Sequence, residues 1–310
     1  MKILVTGGSG YKGAVLIPKL LKKGHKVINI DKQWFGLNLK NNKNLKNFRL
    51  DVLDIKDKHM KNVDAVIHLA SIANDPMAEL DKNLSWETSA LGTKILMDLA
   101  IKHRVKRIIY ASSGSVYGIK KERKVHEGLS LKPISLYNKV KMVTERLILS
   151  YKNKIDIFII RPATVCGYSP RMRLDVTVNI LTYSSIVKNK ITVFGGKQIR
   201  PNIHIDDITD LYLFFLKCKK KLSGIYNAGF ENSSINKIAK LVQKHTGSKI
   251  EYFKNNNDPR SYRQDSSKLL RIGFKPKKNI EDAIKELSII LPKIKIKNTF
   301  FSIKTLKKNI

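Results

Sequence analysis

Tyr137 and Lys141 stand four residues apart, a spacing that puts two side chains on one face of a helix. A phenol beside an ammonium is a proton-transfer pair, because the cation favours phenolate and draws the tyrosine pKa down from about 10 toward neutral pH. Tyr117 and Lys121 share the spacing, so context separates the two pairs. Tyr117 falls in a glycine-bounded loop, whereas Tyr137 opens a helical pattern about 24 residues after the Ser-Ser-Gly-Ser turn at 112–115.

A second constellation is Gly7, Gly10 and Gly13, a G-x-x-G-x-x-G between an apolar run at 2–5 and a helical pattern at 13–23. Glycines let the backbone turn tightly and approach a pyrophosphate, whose charge then rests on the helix N-terminus. Asp31 follows the next apolar run, 18 residues after Gly13, where a carboxylate accepts hydrogen bonds from the hydroxyls of an adenosine ribose. An acid there favours NAD over NADP, since a 2′-phosphate would meet a like charge. The adjacent Lys32 pulls the other way.

These groups need a scaffold, and the first half of the chain supplies its pattern. Short β-branched apolar runs at 2–5, 26–30, 47–49, 65–69, 107–111 and 155–161 alternate with helical patterns at 13–23, 84–103 and 136–151. That rhythm predicts βαβ units and a doubly wound parallel α/β sheet of Rossmann type. After Pro162 it becomes irregular: turn clusters fall at 167–170 and 195–196, and helical patterns follow at 208–217, 235–245 and 280–290. The expected organisation is a cofactor domain at 1–166 and a smaller α/β substrate domain at 167–310, some of whose segments return to the first. The stretch 293–310 alternates Lys with Ile and Phe and is expected to be a strand or a wrapping tail.

Composition limits the alternatives. A chain of 310 residues with 42% hydrophobic residues can bury a substantial core. The formal net charge of +35 raises the alternative of a basic nucleic-acid-binding protein. However, 48 of the 60 basic residues are Lys, accompanied by 23 Asn, and the Lys are spread along the whole chain rather than gathered in one arm. No nucleic-acid partner is therefore expected. Two cysteines without metal spacing and seven histidines without an H-x-x-x-H predict no metal and a reducing cytoplasm. No apolar run approaches the roughly 20 residues that span a bilayer.

Taken in order, ILVTGGSGYKG at 3–13, Asp31, Asp51-Val52, HLAS at 68–71, YASSGSVYG at 110–118, YNKVK at 137–141, RPATVCG at 161–167 and GGKQIRPNIHIDD at 195–207 resemble one family. It is the extended short-chain dehydrogenase/reductases of the NAD-dependent epimerase/dehydratase family, which remodel nucleotide sugars. The resemblance implies that Gly7, Gly10, Tyr11 and Gly13 cradle NAD. Asp51 and Val52 would contact the adenine, and Leu69, Ala70 and Ser71 would line the cofactor. Ser113 would hydrogen-bond the reacting sugar hydroxyl and Tyr137 would be the general base or acid. Lys141 would hold the nicotinamide ribose and tune that tyrosine. Arg200 matches the family's arginine for the nucleotide diphosphate.

Departures from the pattern narrow the chemistry. Dehydratases of the family usually carry Asp and Glu after the catalytic hydroxyl residue, and here those positions are Gly114 and Ser115; the resemblance therefore implies hydride transfer without elimination. Ser89 and Thr164 replace two asparagines of the family, Thr164 remaining a candidate substrate contact. In SPRMRLD at 169–175, Arg171 and Arg173 would clamp a phosphate or a sugar acid. The string resembles a subgroup that oxidises or reduces C4 of nucleotide-activated deoxysugars and heptoses for surface polysaccharide. Arg260 and Arg263 in DPRSYRQD resemble a late diphosphate arginine. Cys166, His68 and His204 read as packing residues. The chemistry expected is removal of a sugar hydroxyl proton by Tyr137, at C4, as hydride passes to NAD. The keto sugar either takes the hydride back on its other face, as in an epimerase, or is exchanged with solution, as in a dehydrogenase or reductase. The patterns at 84–103 and 136–151 correspond to the helices through which the family forms homodimers.

Overall fold

The computed structural model of the protein describes residues 1–254 and 261–309. Its strands are β1 (Lys2–Thr6), β2 (Lys26–Asp31), β3 (Leu45–Arg49), β4 (Ala65–His68), β5 (Arg107–Ala111), β6 (Asp156–Pro162), β7 (Thr164–Cys166), β8 (Lys190–Phe194), β9 (Ile199–His204), β10 (Gly224–Ala228), β11 (Glu231–Ser234) and β12 (Lys249–Phe253). Seven form a central sheet in the order β10-β6-β5-β4-β1-β2-β3, with parallel pairing throughout. Such a sheet is covered on both faces, which is why its strands are apolar nearly end to end. Ile3 and Val5 of β1 face Leu16, Ile17 and Leu20 of helix α1 (Gly13–Lys22). Leu4 faces Leu96, Met97 and Ala100 on the other side. The strand order reverses between β1 and β4, and a cleft opens beyond the carboxyl ends of strands at such a point.

The pattern at 84–103 is a helical run with an interruption. A helix Lys82–Trp86 passes through a wider turn, Glu87–Leu91, into a helix Gly92–Lys102. Gly92 is needed there, because a Cβ would lie 2.5 Å from Val52 Cγ1. The interruption brings Thr88 to the cleft and sets Ser89 Oγ 3.0 Å from Ser71 Oγ.

Beyond β6 lie a small sheet β11-β9-β7 and the pair β12-β8, packed with the helices Thr177–Lys188, Ile235–Thr246 and Ile280–Ile290. β10 returns to the central sheet beside β6. The helix expected at 208–217 begins three residues earlier, at Ile205, because His204 Nδ1 caps it by accepting from Asp206 N at 3.1 Å. The final stretch is no strand. It wraps across the cleft as a turn, Asn298–Phe300, and a short helix, Ser302–Leu306. Leu306 is buried against Ile72, Met77 and Ala78, which an alternating Lys/Ile pattern did not foretell. No helix among the described residues is long and apolar enough to cross a membrane.

Candidate active site

A cavity of about 520 Å³ opens where β1, β4 and β5 end. The glycine turn forms its floor. Gly7 adopts φ +70°, and a Cβ there would sit 2.6 Å from Ala70 N; at Gly13 a Cβ would sit 2.4 Å from Gly8 Cα. The turn therefore presses against the β4 end and leads straight into α1. Gly10, Tyr11, Leu69, Ala70 and Ser71 also face the cavity. The Tyr11 hydroxyl is held away, donating to Gly167 O at 2.7 Å and accepting from Asn179 at 3.1 Å.

Asp31 stands at the end of β2 with Oδ2 accepting from Ser9 N at 2.9 Å and Oδ1 from Gln33 N at 2.6 Å. Burial pushes its pKa up. The neighbouring Lys32 turns aside to Asp51 Oδ2, 2.9 Å away, and lies over the Trp34 ring. Its charge is spent on Asp51, so Lys32 does not offset the preference of Asp31 for an unphosphorylated ribose. Asp51 in turn caps the helical turn Val52–Asp54 through Leu53 N at 3.0 Å, and Asp51 and Val52 both line the cavity.

A buried ionic network holds the opposite wall. Ser112 Oγ donates to Glu145, Arg161 donates to both Glu145 oxygens at 2.6 and 2.9 Å, and Arg161 Nη1 donates to the Tyr117 hydroxyl at 2.8 Å. Tyr117 then donates to Asn227 Oδ1 on β10 at 2.8 Å. A buried ion pair with its remaining hydrogen bonds met is rigid, and this one ties β5, β6 and β10 to the helix Leu136–Leu149. That helix, capped by Ser135, turns both Tyr137 and Lys141 into the cavity. Lys141 Nζ donates to Ala111 O at 2.8 Å and lies 6.0 Å from the Tyr137 ring centre. Burial, with Lys12 nearby, pushes Lys141 down to about 7.

Ser113 completes that wall. Its Oγ accepts from Ser115 N at 3.2 Å and lies 2.8 Å from Ser115 Oγ. Ser115 Oγ donates to Asn138 Oδ1 at 2.6 Å. Thr164, Arg200 and Tyr262 line the far end. The two arginines of SPRMRLD both reach the cavity but are held by protein partners. Arg171 stacks 3.9 Å over the Phe35 ring and donates to Met172 O and Ser302 Oγ. Its Nε is buried without an acceptor, and burial and Arg173 push its pKa down to about 9. Arg173 is bidentate on Asp175 at 2.9 and 3.0 Å. Arg263 is exposed and absent from the lining: the extended chain buries its neighbours Tyr262 and Gln264 and directs Arg263 outward. Arg260 lies outside the described residues.

Cys166 is a core residue, its thiol pushed far up by burial. His68 bridges Thr6 and Thr93 and is pushed down to about 3 by burial, so it is neutral. Among the described residues no cluster of His, Cys, Asp or Glu could hold a metal. Sequence reasoning passed over Lys12, Phe35 and Ile303, all of which line the cavity, and read Ser115, which lines it too, only as a departure from the dehydratase pattern. Lys12 was visible inside the glycine motif itself, whereas Ile303 carries no local signal.

A turn without room for side chains, an acid at the ribose position and an unsatisfied Arg171 Nε in the same cavity fit a dinucleotide with a free 2′-hydroxyl. Sheet, turn and phenol–ammonium pair together define a dinucleotide-dependent enzyme of Rossmann build. The family model described as NAD dependent epimerase/dehydratase family matches residues 3–229, and the chain belongs to that family and is an NAD-dependent enzyme. It is similar to a UDP-glucose 4-epimerase of Lactobacillus helveticus, 28% identical over 92% of this chain and 95% of that protein. It is also similar to a dTDP-D-glucose 4,6-dehydratase of Homo sapiens, 27% identical over 92% of this chain and 88% of that one. Among solved structures, UDP-glucuronic acid 4-epimerase from Bacillus cereus in complex with UDP-glucuronic acid and NAD has a TM-score of 0.85 at 28% identity, covering 94% of this chain and 99% of that one.

Proposed function

We propose that the protein is a nucleotide-sugar epimerase that works at a sugar carbinol, C4, through Ser113, Tyr137 and Lys141. The observation that carries this reading is the shared cavity of the glycine turn, Asp31 and the Tyr137–Lys141 pair. The epimerases to which the chain is similar support it. Bound NAD would supply the hydride acceptor for the sugar carbon and the donor that returns the hydride. Tyr137, as phenolate, takes the hydroxyl proton, holds it, and gives it back when the carbonyl is reduced from its other face. Ser113 orients the reacting oxygen. Arg200 takes the substrate diphosphate, as guanidinium suits it.

Lys141 keeps the phenol ionised only while it is itself charged. Its pKa of about 7 leaves that charge incomplete at neutral pH, and the negative charge of bound diphosphates raises it again. The proton-transfer pair is thus completed by ligand binding.

Elimination, as in the dehydratase relative, calls for an acid and a base beside the sugar. Gly114 offers no side chain, and Ser115 is tied to Asn138. The cavity carboxylates are engaged elsewhere: Asp31 with Ser9 and Gln33, Asp51 with Lys32, Asp75 with Ser135, Asp175 with Arg173. Homodimerisation belongs to the same reading. Leu91 is 50% and Val143 37% exposed, and both lie on the two helical segments expected to pair. Buried free thiols at Cys166 and Cys218 suit a reducing cytoplasm.

The test incubates the enzyme with UDP-, dTDP-, GDP- and CDP-sugars, with and without NAD, and follows mass and absorbance at 340 nm. An isomeric product without net NADH supports the epimerase. Net NADH with a product two mass units lighter replaces it with a dehydrogenase, and loss of water replaces it with a dehydratase.

A further inference from the structure

Lys12 is the last residue of the phosphate-binding turn before Gly13, at the N-cap of α1. Its side chain lines the cavity, and it makes no ion pair and no side-chain hydrogen bond among the described residues. The charge that acts on Lys12 is a cation, Arg173, and Lys141 feels Lys12 in turn. Arg173 is paired with Asp175, and Lys141 donates to the Ala111 carbonyl and feels the Glu145 carboxylate. Lys12 is therefore an ammonium without a counterion among the described residues, in a cleft that also holds Lys141. A charge partly withdrawn from water without a counterion is disfavoured, and burial together with Arg173 pushes Lys12 down to about 8. Such a group needs an anion.

We infer that Lys12 is a cofactor-binding residue whose ammonium pairs with the diphosphate of the bound dinucleotide, adding a side-chain charge to the amides of the turn. The placement favours this anion over the substrate's. Asp31 fixes one end of the cofactor run and Tyr137 with Lys141 marks the other, so the diphosphate that joins the two riboses crosses the turn that carries Lys12. Arg200, by contrast, sits on β9 in the other wall. Both the helix N-terminus and the ammonium then act on the same phosphates. The inference rests on NAD binding and not on the sugar chemistry, so it survives if the epimerase reading fails.

The experiment measures affinities of cofactor-stripped protein for NAD, ADP-ribose, adenosine and UDP by isothermal titration, in wild type, Lys12→Met and Lys12→Arg. Lys12→Met should weaken NAD and ADP-ribose by roughly 10- to 100-fold and leave adenosine and UDP unchanged. Lys12→Arg should restore most of the loss. Unchanged ADP-ribose affinity in Lys12→Met overturns the inference. So does an equal loss for adenosine, which would mean a distorted turn, or a loss confined to UDP, which would assign Lys12 to the substrate.

Discussion

Removing one oxygen atom from Tyr137 leaves its ring packed in the cluster with Leu136, Ile303 and Leu306 and deletes only the proton carrier. Tyr137→Phe should therefore lower kcat by about 10²- to 10⁴-fold with nucleotide-sugar binding retained, as initial rates and titration would check; a fully active variant refutes the proton role. Lys141 makes a second prediction, on stability. Its pKa is about 7 in the folded chain against 10.5 for a free lysine, so between those values the unfolded chain binds more protons and stability rises with pH. Below about 7 the penalty is complete. Lys141→Met, melted without ligands, should exceed the wild type by a few degrees at pH 6.5 and lose that advantage toward pH 10. A difference that is flat or grows with pH contradicts the assignment. At this scale a shared place in the cavity was legible for Asp31, Ser113 and Tyr137, each singled out by its type and its position in a motif. The partners of Arg171 were not legible, since Phe35 and Ser302 meet it only in the folded chain.

Among the elements, the glycine turn tolerates least. A Cβ at Gly13 would meet Gly8 backbone atoms at 2.4 and 2.5 Å, and backbone cannot move aside as a flexible side chain can. Gly13→Ala should abolish detectable NAD binding and lower the melting temperature, measured by titration and scanning fluorimetry; wild-type affinity would show that the turn yields. The strands of the first half were legible because both faces of a parallel sheet demand apolar residues. The break at Glu87–Leu91 was not, since a wider turn preserves the apolar spacing on either side. β10 escaped notice because it stands apart from the βαβ rhythm; the wrapping tail was one of two readings of 293–310, but its partners were not legible, because its burial depends on a groove made by residues far earlier in the chain.

At the scale of the molecule, a charge of +35 surrounds a cleft proposed for a diphosphate substrate. Such a field draws anions in before they touch. Raising NaCl from about 20 to about 300 mM should lower kcat/KM several-fold and leave kcat unaltered, because screening acts on encounter; a salt-insensitive kcat/KM would remove steering. The same surface carries a dimer prediction. Leu91→Asp combined with Val143→Asp should shift the mass from two chains to one in light scattering and leave the melting curve close to wild type. A wild type that is already monomeric ends the proposal.

β10 is the strand that the chain reaches only after leaving the central sheet to form β7, β8 and β9. It covers the β6 edge, where Phe158, Ile159 and Ile160 pair with Gly224, Ile225 and Tyr226. A fragment cut near residue 166, where the change in the strand-and-helix rhythm suggests a boundary, would keep β6 and lose its cover. The bare edge would present unpaired amides and carbonyls along an apolar strand, a template on which further copies add. Such a piece is expected to clump as it is made, and the two halves to survive heating or dissolve together.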